Sequence, residues 1–323
     1  MIISRTPFRL SFAGGGTDLP SFYQEEDGAV LSTALNKYMH ITINKRFDNT
    51  IRLSYSKTEI QNHVKDIEHP IFKYVLSQYL PQGGVEVISM ADIPAGTGLG
   101  SSSSFTVAML HAVKGYLGKF QTAEELASEA SDIEINKLHE PIGKQDQYIS
   151  AYGGLQFIQF KSSGDVTVDP IVCTSDTKNA LEAHCMLFYT GQTRAAKSIL
   201  QEQKENTKAK RQTLSDMAQI ARKMKTVLEA NKSLESFGKL LHDAWTLKKS
   251  VASNISSSQI DKWYEQALKA GAWGGKILGA GGGGFLMVFC EPGKQNAVKN
   301  ELKDLKLFDV EFEAQGSKII FVG

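Results

Sequence analysis

A bias of charge is missing from this chain: 36 lysines and arginines stand against 35 aspartates and glutamates, a formal net charge of +1. A protein that gathers nucleic acid or lies on an anionic membrane needs an excess of cations, so neither partner is expected. Cysteine is scarce too. Cys173, Cys185 and Cys290 are odd in number and far apart, which argues against a disulfide framework and a paired-cysteine metal site and suits reduced core residues in a cytoplasmic protein. The seven histidines fall without metal-ligand spacing, and His40, His69 and His139 read as structural. Long apolar runs are absent as well. The N-terminal MIISRTPFRLSF lacks the apolar core of a signal peptide. The most apolar stretch, Ile277 to Cys290, is glycine-rich and too short to span a bilayer. These absences leave a cytoplasmic globular protein whose partner is small.

What is present fits two domains with sizeable cores. The chain has 323 residues, 41% hydrophobic and 22% charged, and the class reads as α+β in both halves, with domains at 1–180 and 181–323. In the first half, alternation predicts strands over Met39–Phe47 and Ile51–Tyr55, with another at Val85–Met90. A helix starts at about Ser101, with Phe105, Ala108, Met109, Ala112 and Val113 on one face. Thr122 and Glu125 form a capping box for a helix running to about Leu138, and Tyr152–Lys161 returns to strand. The second half opens with strand Cys185–Tyr189. Charged helices follow between about Ala195 and Ala230 and between Ser233 and Ser250. It closes with strand Phe285–Cys290, helix Gln295–Leu305, and strands Val310–Ala314 and Lys318–Val322.

Glycine is abundant and clustered. The segment Pro94-Ala95-Gly96-Thr97-Gly98-Leu99-Gly100-Ser101-Ser102-Ser103-Ser104 lies between a strand and a helix. Alternating glycines let the backbone turn several N–H groups to one side, and the helix that follows adds its free N–H groups and the positive end of its dipole. Serine hydroxyls there can meet phosphate oxygens or a Mg²⁺ ion. No lysine follows the last glycine, so this is not a Walker A loop, and a plain strand–helix turn with a serine cap is the alternative. The second run, Gly279-Ala280-Gly281-Gly282-Gly283-Gly284, satisfies G-x-G-x-x-G but precedes a strand where a dinucleotide site requires a helix. Something presses on that backbone, either a ligand or another loop.

Phosphoryl transfer needs positive charge, Mg²⁺ and a group to orient the hydroxyl. Asp146 lies in a polar loop after Pro141. Glu134, between Ile133 and Ile135, points inward as a metal ligand or a paired core acid. Arg5, Arg9 and Asp18 bracket the turn Phe12-Ala13-Gly14-Gly15-Gly16-Thr17-Asp18, which offers hydroxyl-binding groups or an Asx-type turn.

Three ordered motifs, TPFRLSFAGGGTD at 6–18, PAGTGLGSSSS at 94–104 and GAGGGG at 279–284, resemble those of the GHMP kinase superfamily. The resemblance covers nearly the whole chain. It implies a ribosomal-S5-like N-terminal domain and a ferredoxin-like C-terminal domain with the active site between them. It also implies an ATP-dependent kinase acting on a small molecule, a sugar or sugar phosphate. ATP would be held by Pro94, Gly96, Thr97, Gly98, Leu99, Gly100, Ser101, Ser102 and Ser103, and Mg²⁺ by Ser102 and Glu134. Asp146 matches the carboxylate that takes or orients the hydroxyl proton, and Arg9 the arginine that steadies charge in transfer. Thr17, Asp18, Gly281 and Gly282 would face the acceptor. FAGGGTDLP is most similar to the heptose 7-phosphate kinases and the related fucokinase domains, with Gly15 and Gly16 where galactokinases carry Glu and His. The space so opened is expected to admit the longer arm of a heptose, with Arg194 and Lys197 as cations for a phosphate on it. L-Fucose or another hexose, and a non-catalytic sugar sensor, are the alternatives. The oligomeric state, homodimer included, stays open.

Overall fold

Ile2–Ala13, where alternation gives no strand, forms the long strand β1, because its last eight residues are buried on both faces and the period-2 signal vanishes. The same cause lengthens β2 to Gly28–Lys45. Its first eight residues are continuously buried, and alternation begins only toward its end. The computed structural model of the chain describes residues 1–192 and 196–323. The strands that follow are β3 (Ile51–Ser54), β4 (Thr58–Gln61), β5 (Val85–Ala91), β6 (Leu155–Phe160), β7 (Val166–Pro170), β8 (Cys185–Tyr189), β9 (Ala272–Ile277), β10 (Phe285–Cys290), β11 (Lys306–Phe308) and β12 (Lys318–Val322).

The first sheet runs β12-β1-β2-β5-β3-β4, with β6 joining β2 and β7 joining β6. The length of β2 lets it serve two neighbours on one edge: Gly28–Thr33 pair with β6, and Met39–Lys45 pair with β5. The second sheet runs β11-β8-β10-β9, all antiparallel, the ferredoxin-like order. The expected strand Val310–Ala314 is reduced to one bridge, Leu35 to Phe312. Beyond it the chain returns to the first sheet as β12, beside β1. The helical span after Ala195 is two helices, Ala196–Asn206 and Arg211–Glu229. The Thr122-capped helix, Ala123–Ser131, passes into a π-helical turn over Asp132–Lys137. Among the described residues no helix is long and apolar enough to cross a membrane.

Strand β10, FLMVFC, shows what joins the two halves. Phe285, Met287 and Phe289 point into the core shared with the first sheet, while Leu286, Val288 and Cys290 point into a second core. Helix Arg211–Glu229 packs against β2, and Phe12 of β1 meets Phe237 of helix Leu234–Lys249 edge-on at 5.3 Å. Such an aromatic pair adds about 0.5–1.5 kcal/mol to its area burial. The halves therefore share one core, and the cleft between them has firm walls.

Candidate active site

Strand β5 ends at Ala91, and the chain then turns through Gly96, Gly98 and Gly100, with φ of 77°, 85° and 77°. Gly100 is the N-cap of helix Ser101–Tyr116 and gives it no side-chain cap. The serine-cap alternative therefore fails, and first-turn N–H groups are left for an anion. Gly96, Gly98, Gly100 and Ser101 to Ser103 line a cavity of about 270 Å³, whereas Thr97 and Leu99 are buried behind them and Pro94 lies outside the lining. Ser104 is spent on structure, with its hydroxyl on the Pro7 carbonyl and the Ser150 hydroxyl. The first glycine run presses on the two ends of the second, while Ile255 and Gln192 press on Gly281 and Gly283 between them. A Cβ on Gly98 would sit 2.4 Å from the Leu278 carbonyl oxygen, and one on Gly284 would sit 2.2 Å from that of Thr97. Gly279, Ala280, Gly281 and Gly283 close the cavity from the second half, while Gly282 donates its N–H to Ile255 outside the lining.

Asp146 is in the first turn of helix Gln145–Tyr152, a correction to its expected place in a loop. A helix N-terminus favours a carboxylate there. Arg9 on β1 reaches it with two parallel bonds, Nε to Oδ1 at 2.7 Å and Nη2 to Oδ2 at 2.8 Å, and spends Nη1 on the Gly98 carbonyl at 2.6 Å. Such a fork fixes both partners against the glycine loop. Glu134 sits in the π turn, a local widening of the helix found often at functional sites. Its carboxylate accepts from Ser102 Oγ at 3.0 Å and Gln147 Nε2 at 2.6 Å, and burial pushes its pKa up to about 7.

On the far wall, Asp18 accepts N–H bonds from Gly16 at 2.8 Å and Gln145 at 3.2 Å. Burial raises its pKa despite those bonds, and the nearby Asp146 adds to the rise. Thr17 does not face the cavity. Its hydroxyl is buried on the Gly14 and Ala29 backbone. The space over Gly16 is not open either, because a Cβ there would meet Gln203 Nε2 at 1.9 Å. Arg194 lies outside the described residues. Lys197 borders the cavity but is exposed and paired with Glu140 at 3.0 Å.

Residues from the second half complete this wall, and no motif pointed to them. Lys248, on helix Leu234–Lys249, donates to Gln203 Oε1 at 3.0 Å and the Gly15 carbonyl at 3.5 Å. Lys276 of β9 donates to the carbonyls of Ser11 at 2.9 Å and Phe12 at 3.3 Å. Burial pushes both ammonium groups down from 10.5, Lys248 to about 8 and Lys276 to about 7. Ser11 Oγ, Gln145 Oε1 and Gln203 Nε2 also line the cavity, buried and without a hydrogen-bond partner among the described residues.

Residues 62–154 match the family model described as GHMP kinases N terminal domain, and residues 218–306 match GHMP kinases C terminal. The chain belongs to the GHMP kinase family. It is an ATP-dependent kinase with this family's two-domain fold, and the cavity lies where the two domains meet. Among its relatives, the D-glycero-alpha-D-manno-heptose 7-phosphate kinase of Campylobacter jejuni is 31% identical over 98% of each chain. The L-fucokinase/L-fucose-1-P guanylyltransferase of Bacteroides fragilis is 26% identical over 90% of this chain and 35% of its own length. A crystal structure of a D-glycero-D-manno-heptose 1-phosphate kinase from Bacteroides thetaiotaomicron superimposes with a TM-score of 0.83, at 23% identity over 100% of both chains, which speaks to fold.

Proposed function

We propose that this GHMP kinase transfers the γ-phosphoryl group of ATP to the anomeric hydroxyl of a sugar, D-glycero-D-manno-heptose 7-phosphate, giving the 1,7-bisphosphate. One observation carries the choice of substrate. The Campylobacter heptose 7-phosphate kinase is 31% identical over 98% of both chains, against 26% over 90% of this chain for the Bacteroides fragilis fucokinase, and that difference favours the heptose phosphate.

In this reading the N–H groups and hydroxyls of Gly96–Ser103 hold the ATP phosphates. Ser102 and Glu134 suit Mg²⁺: a hydroxyl and one carboxylate, 3.0 Å apart and beside the phosphate loop, are the hard oxygen donors such an ion takes alongside nucleotide phosphates. When bound, the ion would neutralise charge on the β- and γ-phosphates. Asp18 and the unpartnered amide oxygen of Gln145 hold sugar hydroxyls. Asp146 orients the anomeric hydroxyl and accepts its proton as the oxygen bonds to the γ-phosphorus and the bond to the ADP oxygen breaks. Arg9 holds Asp146 in place and sets positive charge beside the group in flight.

The test is Mg²⁺-dependent ADP release against a panel of heptose 7-phosphate, mannose 6-phosphate, L-fucose, galactose and mevalonate. Turnover of the heptose phosphate well above the others is expected. A preference for L-fucose would keep the kinase and discard the phosphorylated acceptor. ATP binding with no turnover of any acceptor would point to a sensor instead.

A further inference from the structure

The mechanism above uses Arg9, Asp18, Glu134 and Asp146, and it leaves two buried cations without a task. Lys248 and Lys276 are each 6% exposed. Among the described residues neither has a carboxylate within ion-pair distance, and their bonds go to neutral oxygens. A buried ammonium without a countercharge costs several kcal/mol. Asp18 attracts Lys248 from beyond ion-pair distance, which offsets part of the cost, but Lys248 and Lys276 repel each other, both repel Arg9, and Lys276 has no such partner. Each ammonium has three N–H donors and meets two acceptors, so each keeps a donor in reserve. Gln203, 1% exposed, adds an amide nitrogen with no partner beside them. All three side chains line the cavity. The missing component is an anion with several acceptor oxygens.

We infer that Lys248, Lys276 and the Gln203 amide form a seat for a phosphate monoester carried by the acceptor. The assignment rests on the reading of the acceptor as a sugar phosphate, and it names the residues that would select it. Position separates this seat from the nucleotide. Lys248 and Gln203 lie against Gly15 and Gly16, in the loop of Asp18. The phosphate loop instead touches Arg9 and Asp146. Gln203 fills the space over Gly16, so the glycines make room for a phosphate-binding side chain rather than for an empty pocket.

The experiment compares kcat/KM for heptose 7-phosphate with that for the unphosphorylated heptose, and KM for ATP, in the full chain. The variants are Lys248→Met, Lys276→Met and the uncharged change Gln203→Met, each checked for folding by its ATP affinity. A bond to a charged group predicts that each lysine change lowers the ratio of the two kcat/KM values about 10- to 100-fold. Gln203→Met should lower it several-fold, with KM for ATP held. If KM for ATP rises by that factor and the ratio holds, the anion is the γ-phosphate and the assignment is wrong. If neither moves, or Lys248→Met binds no ATP while Gln203→Met behaves as wild type, the cluster is structural and the inference falls. A wild-type enzyme that does not prefer the 7-phosphate removes the underlying reading, and does so before any variant is made.

Discussion

Under the proposed function, the nucleotide would meet backbone on one side of the cavity and the acceptor would meet side chains on the other. Gly96 to Ser103 supply N–H groups from one unbroken stretch at the start of a helix. Asp18, Gln145, Gln203, Lys248 and Lys276 come from five separate elements, and their polar ends meet only in the folded chain. A backbone site is fixed by local conformation, so its requirements are written contiguously as glycine and small hydroxyls. A side-chain site is fixed by packing, so it can be altered residue by residue to fit a new acceptor. Shared nucleotide chemistry and divergent acceptors follow from that difference.

Asp146, where the two walls meet, gives the largest expected effect. Asp146→Asn keeps the shape and removes the proposed proton acceptor, so kcat should fall about 10²- to 10⁴-fold with ATP affinity retained. Single-turnover kinetics with ATP titration would read this. Near-normal turnover would move the chemistry onto Arg9 and the metal alone.

The next effect belongs to the acceptor wall alone. The buried lysines titrate at about 8 and about 7, against 10.5 in an open chain. Asp18 and Arg9 face Lys248, and Lys248 and Arg9 face Lys276. Above pH 7 the unfolded chain holds more protons than the folded one, so stability rises with pH. Between pH 7 and 9.5 the gain is about 2–3 kcal/mol per lysine. Urea unfolding of the ligand-free protein at both pH values should show this slope, and Lys248→Met with Lys276→Met should flatten it. An equal slope in the double variant would mean that the lysines are charged and solvated in the folded chain.

The same contrast explains what was legible in the sequence. That the 96–103 loop, Arg9, Asp18 and Asp146 belong together was legible from residue order, because each lies in a short stretch that matches a family motif, and the fold brings them to one cavity. Strands β8 and β10 were readable as apolar runs, and the Thr122 cap from two residues three apart. Lys248 and Lys276 were not, since a lysine at the end of a charged helix or inside a glycine-rich strand carries no local sign of burial. Strand β1 escaped because burial on both faces erases alternation, and β12 gave no sign that it would close the first sheet across more than 300 residues of chain. Thr17 was misread for the opposite reason: a hydroxyl inside a good motif looks functional until its backbone partners are seen.

Gly98 tests whether the backbone wall depends on the contact between the two glycine loops. In Gly98→Ala the new methyl would meet the Leu278 carbonyl oxygen at 2.4 Å with φ at 85°. Left-handed alanine alone costs about 1–2 kcal/mol, and the neighbour is backbone that cannot swing aside. Weaker ATP binding and a lower unfolding midpoint are expected together. Wild-type ATP affinity would mean that the loops separate without harm and the close approach is incidental.

Gly16 offers the smallest change and the sharpest contrast with Gly98. Its φ of 106° makes alanine unfavourable there as well, yet the clash at 1.9 Å is with Gln203 Nε2, the free end of a flexible side chain. The amide can turn away, and in doing so it takes its Oε1 off Lys248. Gly16→Ala should therefore fold with a loss of about 1–2 kcal/mol and leave KM for ATP unchanged. KM for the phosphorylated acceptor should rise several-fold, as in Gln203→Met, and adding Gln203→Met to Gly16→Ala should cost little more, since both act through one amide. Additive losses would show that Gly16 and Gln203 contribute separately, and the acceptor wall would then rest on its backbone as the nucleotide wall does.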